Sequence, residues 1–212
     1  WNDDFAGAMS HYGEAVTFNG QGRYEYRNQY AQFALDYSTK HSITPSIILA
    51  IKEVINLEEK NAVENPRDYL PELYLSRLNI ILGKNDPKSP YNDEALKHSA
   101  KALSYSPTFV RTYYEVGQAY LNKNDYPNAQ IAFQKAVDLN PDVGISYWYL
   151  AIVEMQAGQT EKALVHMGEA LKKGYTLNEG DYLNLASKYI KENDFKNLVI
   201  AYEGLVKLVS NN

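Results

Sequence analysis

The sequence predicts an all-α solenoid, a row of short antiparallel helix pairs stacked side by side. Three observations carry that prediction. Apolar and small residues recur at helical offsets of three and four, the pattern repeats about every 34 residues, and the large side chains are mostly tyrosine, 19 Tyr against 6 Phe and 2 Trp. A tyrosine keeps a hydroxyl that reaches water or a partner, so this choice fits many shallow helix packings better than one deep core.

Taken in order, the elements begin with a half unit. In residues 1–20, Asp4, Ala8, Tyr12, Ala15 and Gly20 fall on the positions that Asp125, Ala129, Phe133, Ala136 and Pro141 hold later. This is a second helix without its first. A repeat cannot bury its apolar face alone, so the expectation is a preceding helix or a substitute for it, with the chain a C-terminal fragment of something longer. Residues 23–66 read as two helices, the second long and out of register, and form a degenerate repeat. Residues 67–107 form a repeat whose first helix is expected over 67–83; Pro87 and Pro90 oppose helix in the insertion KNDPKSP, and the second helix carries Ala95, Ser99 and Ala102 before Pro107.

The clearest unit is 110–143. Tyr113, Val116, Gly117 and Tyr120 share one helix face, and Ala129, Phe133 and Ala136 share another, with Asp125 suited to cap the second helix and Pro141 to follow its end. Gly117 and the alanines are small where one backbone must approach another. In 144–177 the same places hold Tyr147, Leu150, Ala151 and Glu154, then Ala163, Met167, Ala170 and Tyr175. In 179–212, displaced by one, they hold Tyr182, Leu185, Ala186 and Tyr189, then Leu198, Tyr202, Leu205 and Ser210, with Asp194 as the cap. Leu205, Val206, Leu208 and Val209 make the last helix apolar on more than one side, which suits contact with a partner or with another copy of the chain.

These small and large positions, in units of 34 residues, resemble the tetratricopeptide repeat over residues 95–209. The resemblance implies an all-α tetratricopeptide-repeat (TPR) α-solenoid running through 1–212, with a right-handed superhelix whose first helices line a concave groove. On that layout the groove residues are Arg111, Tyr114, Gln118 and Asn122, then Ile145, Trp148, Ile152 and Gln156, then Leu183, Ser187 and Lys191. Trp148 and Tyr114 would offer flat apolar faces, the amides would fix orientation, and Arg111 and Lys191 would supply charge. A peptide or a glycan fits such a surface. The alternative for Trp148 and Tyr114 is packing against neighbouring repeats. The Lys and Asn clamp that some members use for a C-terminal carboxylate is replaced here by Tyr114, Gln118, Trp148 and Ile152.

Composition removes other classes. A net charge of -5 gives no basic footprint for phosphates, so nucleic acid is not expected as a partner. With 0 Cys there is no disulfide framework, thiolate metal site or cysteine nucleophile. The histidines His11, His41, His98 and His166 lack metal-ligand spacing, no glycine-rich phosphate loop occurs, and no cofactor or metal is implied. Among the carboxylates Glu53, Glu58, Glu59, Asp93 and Glu94, a solvated helix face is the expectation over an acid–base pair. No enzymatic activity is expected of this chain.

A second resemblance spans Glu14, Ala15, Val16, Phe18, Asn19, Gly20, Arg23, Glu25, Arg27, Gln29, Ala31, Phe33 and Ala34. This stretch looks like the C-terminal repeat region of bacterial O-antigen ligase or polymerase-like membrane proteins. It implies an extracytoplasmic setting and a glycan-assembly parent with its catalysis in a membrane portion. Two functions therefore stand as expectations: a binding scaffold for a protein or peptide, and an accessory domain that holds polysaccharide or partner proteins for a membrane glycosyl-transfer enzyme.

Overall fold

The computed structural model describes residues 5–17, 22–191 and 193–210. Asp4, Phe18, Asn19 and Gly20 lie outside the described residues, as do the side chains of Leu198, Leu205, Leu208, Val209 and Ser210. Among the described residues eleven helices follow one another: α1 (Phe5–Thr17), α2 (Arg23–Lys40), α3 (Pro45–Glu64), α4 (Tyr69–Gly83), α5 (Pro90–Tyr105), α6 (Val110–Asn122), α7 (Tyr126–Leu139), α8 (Gly144–Gln156), α9 (Thr160–Lys172), α10 (Glu179–Lys191) and α11 (Phe195–Ser210). No strand interrupts them among the described residues. The all-α solenoid is the fold of this chain.

Turn chemistry sets the pairs. Asn124, Gly158 and Asn193 all have positive φ, at 58°, 76° and 55°, and they recur at the repeat spacing. Asparagine and glycine tolerate this left-handed backbone, which reverses the chain in the shortest distance. The next residue then closes each turn: the amides of Asp125, Gln159 and Asp194 donate to the carbonyls of Tyr120, Glu154 and Tyr189 at 2.9, 2.8 and 2.9 Å. The second helix starts on a side-chain cap in two of the three cases. Asp125 accepts from the Asn128 amide at 3.3 Å and Asp194 from the Asn197 amide at 3.2 Å.

Within a pair the helices meet where a small residue faces a large one. A Cβ placed on Gly117 would sit 2.4 Å from the Phe133 ring, so only glycine lets α6 and α7 close on a fully buried phenylalanine. Ala151 and Met167 hold the same two places in α8 and α9, both buried in one apolar cluster. In α4 and α5 the corresponding pair is Ser76 and Ser99, whose hydroxyls hydrogen-bond at 2.7 Å in a wholly buried site.

Between pairs the packing is asymmetric. The first helices α4, α6 and α8 touch in succession, whereas among the described residues no second helix packs comparably on the next second helix. A stack that is tighter on one side curves toward that side. The first-helix side is therefore concave, and wedges open between second helices on the other side.

At the amino-terminal end α1 packs on α2, with the rings of Tyr12 and Tyr30 stacked at 5.2 Å. Val16, Phe33, Ala31 and Ala34, which carry much of the second resemblance, are packed in this same cluster. Their identity answers to helix contact. Glu58 departs from the expectation of a solvated carboxylate: it is fully buried in the seam of α2 and α3, where polar side chains hydrogen-bond one another across the interface.

Candidate functional site: the concave face of the first helices

Helix α6 places Arg111, Tyr114, Glu115 and Gln118 over two turns of one face. The preceding first helix adds Tyr74 and Arg77. Arg77 Nε lies 3.4 Å from Glu115 Oε1, and both side chains are mostly enclosed. Arg111 stands one helical turn before Glu115, is exposed, and forms no ion pair among the described residues. Tyr149 of α8 closes the other flank, tilted on Tyr114 with ring centroids 5.0 Å apart and stacked on Phe133 at 5.3 Å. Burial pushes the Glu115 carboxyl up to about 7, against the pull of the Arg77 and Arg111 guanidiniums. Two permanent cations thus surround a carboxylate that is only partly ionised at neutral pH. The result is a locally cationic notch on an acidic protein.

The expected groove residues separate into three groups. Arg111, Gln156, Leu183, Ser187 and Lys191 are exposed on their helices. Tyr114, Gln118, Asn122, Ile145 and Ile152 are half-buried and largely occupied. The Tyr114 hydroxyl pairs with Ser146 Oγ at 2.6 Å, Gln118 donates to Asn122 at 3.2 Å, and Asn122 donates to the Ile80 carbonyl at 3.0 Å and to Asn92 at 3.1 Å, tying α6 to α4 and α5. Ile152 packs on the apolar cluster of α8 to α11.

Trp148 belongs to neither group, and here the structure corrects the sequence reading. Its side chain is buried, its indole N–H donates to Asp181 Oδ1 at 2.9 Å, and its ring stacks on Tyr175 at 5.3 Å. The segment between α9 and α10 and the first turn of α10 deliver these partners. Asp181 also accepts from the Tyr175 hydroxyl at 2.8 Å and the Asn178 amide at 2.9 Å, so it is fully engaged by the groups that cover the indole.

Sequence reasoning missed Arg77 and Glu115. Glu115 stood in plain view four residues after Arg111, but Arg77 lies in another repeat, and only stacking brings it to Glu115. On the opposite, second-helix side, the wedge between α5 and α7 forms a cleft of about 770 Å³ lined by Leu103, Tyr113, Val116, Tyr120 and Ile131.

Residues 110–143 match the tetratricopeptide repeat family. The fold is a tetratricopeptide-repeat solenoid. Among solved structures, the TPR fold of this chain resembles TTC0263, a thermophilic TPR protein of Thermus thermophilus, with a TM-score of 0.64 and 18% identity over 86% of this chain and 93% of that one. It is similar to MamA, with a TM-score of 0.59 and 17% identity over 80% and 88% of the two chains. It is also similar to MamA 41-end from Desulfovibrio magneticus RS-1, with a TM-score of 0.58 and 16% identity over 88% and 97%. No curated protein matches the sequence.

Proposed function

We propose that the chain is a non-catalytic binding module whose concave TPR face, along α4, α6, α8 and α10, holds an extended segment of a protein partner. One observation carries this reading. Stacking buries, wholly or in part, the apolar residues of α6 and α8, yet leaves Arg111, Gln156, Leu183, Ser187 and Lys191 exposed on first helices of three repeats. Exposed polar side chains on rigid helices recognise an extended backbone and its side chains with little reorganisation.

An accessory role beside a membrane glycan-assembly enzyme is the second reading, supported by the resemblance of residues 14–34. Its strongest physical argument is an aromatic platform for sugar, and the burial of Trp148 takes that platform away. The peptide reading is therefore preferred. Self-association through α11 is a separate proposal, supported by its exposed Val199, Ile200, Tyr202 and Val206.

A peptide library displayed on phage and selected against the chain tests the proposal. Selected peptides are expected to lose binding on Arg111→Glu and on Lys191→Glu, and to keep it on Ile131→Lys in the outer cleft. Peptides sensitive only to Ile131→Lys, or a selection that yields no binder, overturn it.

A further inference from the structure

We infer that the notch formed by Arg77, Glu115 and Arg111 is a proton-linked subsite for an acidic side chain of the bound peptide. The inference rests on the concave face being the binding surface and names the chemistry of one part of it.

The geometry supplies the argument. Glu115 is the only carboxylate that the described contacts place between the two guanidiniums, with Arg77 Nε at 3.4 Å and Arg111 one turn away on the same helix. The groups that act on it are Arg77 from α4, Arg111 from α6 and Tyr149 from α8. None of these is anionic near neutral pH, since burial raises the Tyr149 hydroxyl further.

An incoming carboxylate meets an exposed Arg111 and a guanidinium that Glu115 already holds. The planar fork of arginine presents several donors, so Arg77 can serve a second carboxylate. Two carboxylates sharing one cationic notch repel unless one is protonated, and the one already disfavoured as an anion is the enclosed Glu115. Its carboxyl sits near neutrality. Ligand binding therefore draws a proton onto Glu115, and by linkage affinity falls as pH rises above about 7. The peptide acid replaces the protein's own acid as partner of the arginines. Nothing here requires a chain terminus, in contrast to a clamp for a C-terminal carboxylate: Arg111 is exposed midway along the stack of first helices, so an internal Glu or Asp fits.

Calorimetry with defined probes tests this. The first probe is an acetylated, amidated octapeptide of alternating Glu and Tyr; the second has Gln for every Glu; the third is the acidic octapeptide with a free carboxyl terminus. Titrations at pH 6, 7 and 8 in two buffers of different ionisation enthalpy count the protons taken up.

The acidic probe is expected to bind at least about fivefold more tightly than the Gln probe at pH 6, with no gain from the free terminus. R111Q and R77Q should each remove most of that advantage. Uptake of about half a proton near pH 7 should vanish in E115Q, while E115Q at pH 8 should bind the acidic probe as the parent does at pH 6. Equal binding of the acidic and Gln probes, affinity independent of pH, or proton uptake that survives E115Q would each overturn the inference. If phage-selected peptides still occupy the concave face in that event, the notch is refuted and the binding surface stands; if they do not, both readings fail together.

Discussion

The seam between α2 and α3 and the seam between α6 and α7 solve one packing problem with opposite chemistry. In the second, a glycine faces a buried phenylalanine, and fit is achieved by shape. In the first, Arg27 donates to Asn61 at 2.9 Å and to Glu64 at 3.0 Å, and Asn61 donates to the Tyr24 carbonyl at 3.3 Å and to Glu58 at 3.3 Å. Tyr24 reaches on to Asp68, which caps α4 by accepting from the Leu70 amide at 2.9 Å. Shape complementarity tolerates any pH but no cavity. A hydrogen-bonded seam is sensitive to protonation, because each buried polar group depends on its partners.

The largest effect expected from breaking this contrast is on the apolar side. Phe133→Ala leaves a cavity under Gly117 and should cost about 3–5 kcal/mol. Because neighbouring repeats of a solenoid are coupled only in series, the loss should appear first in α6 and α7. Amide hydrogen exchange read helix by helix checks it: faster exchange confined to α2 and α3 would contradict the assignment of Phe133 as the centre of its own seam.

The polar seam should respond to pH. Burial pushes the Glu58 carboxyl up to about 8, against the Asn61 hydrogen bond and the Arg27 charge. The Asn28 amide faces both Glu58 oxygens at 3.2 Å, so a neutral Glu58 donates to its oxygen, whereas an ionised Glu58 needs the amide reversed. The folded-state value lies above the ordinary 4.5, so the folded seam holds a proton that the unfolded chain has lost. Stability is then full below about 4.5 and falls as pH rises toward about 8. Glu58→Gln should flatten that fall, worth of order 2–4 kcal/mol across the window. Urea midpoints of parent and variant at pH 5 and pH 8.5 give the measurement. Parallel pH dependence in the two proteins would show that Glu58 is not the titrating group.

The same contrast explains what the sequence disclosed. Ala129, Phe133 and Ala136 announce their seam because apolar residues at helical spacing stand out against a polar background. The seam of Arg27, Asn28, Glu58 and Asn61 is invisible by that criterion, for its buried residues are of the types that ordinarily mark a surface. Glu154 shows both cases at once. It replaces an aromatic residue at a first-helix position and remains fully buried, because His166 at 2.6 Å and Gln130 at 3.2 Å satisfy its oxygens. Of the groove positions expected from the repeat layout, Arg111, Gln156, Ser187 and Lys191 are exposed, whereas Trp148 takes the alternative of packing between repeats. That cover comes from Tyr175 and Asp181, and the bond to Asp181 stands where Tyr114 bonds Ser146 one repeat earlier, so the stack itself turns this position inward.

The smallest effects sharpen the comparison among the regular repeats themselves. Asp125 and Asp194 cap their second helices and also accept from the side-chain amides of Asn128 and Asn197, each at 2.7 Å. Gln159 stands at the equivalent place before α9, makes no side-chain cap, and leaves its buried Oε1 without a hydrogen-bond partner. Its longer side chain carries the acceptor past the amide that an aspartate would reach. Asp125→Ala should therefore cost about 1 kcal/mol, through a lost cap and a lost negative charge at the positive end of a helix dipole. Gln159→Asp should gain a similar amount, since it supplies that cap and removes an orphaned acceptor in the same step. Thermal unfolding of the two variants beside the parent separates them by sign. If Gln159→Asp unfolds at a lower temperature than the parent, then the α8–α9 turn is not interchangeable with the α6–α7 turn, despite matching it in the left-handed residue and in the backbone bond that closes each.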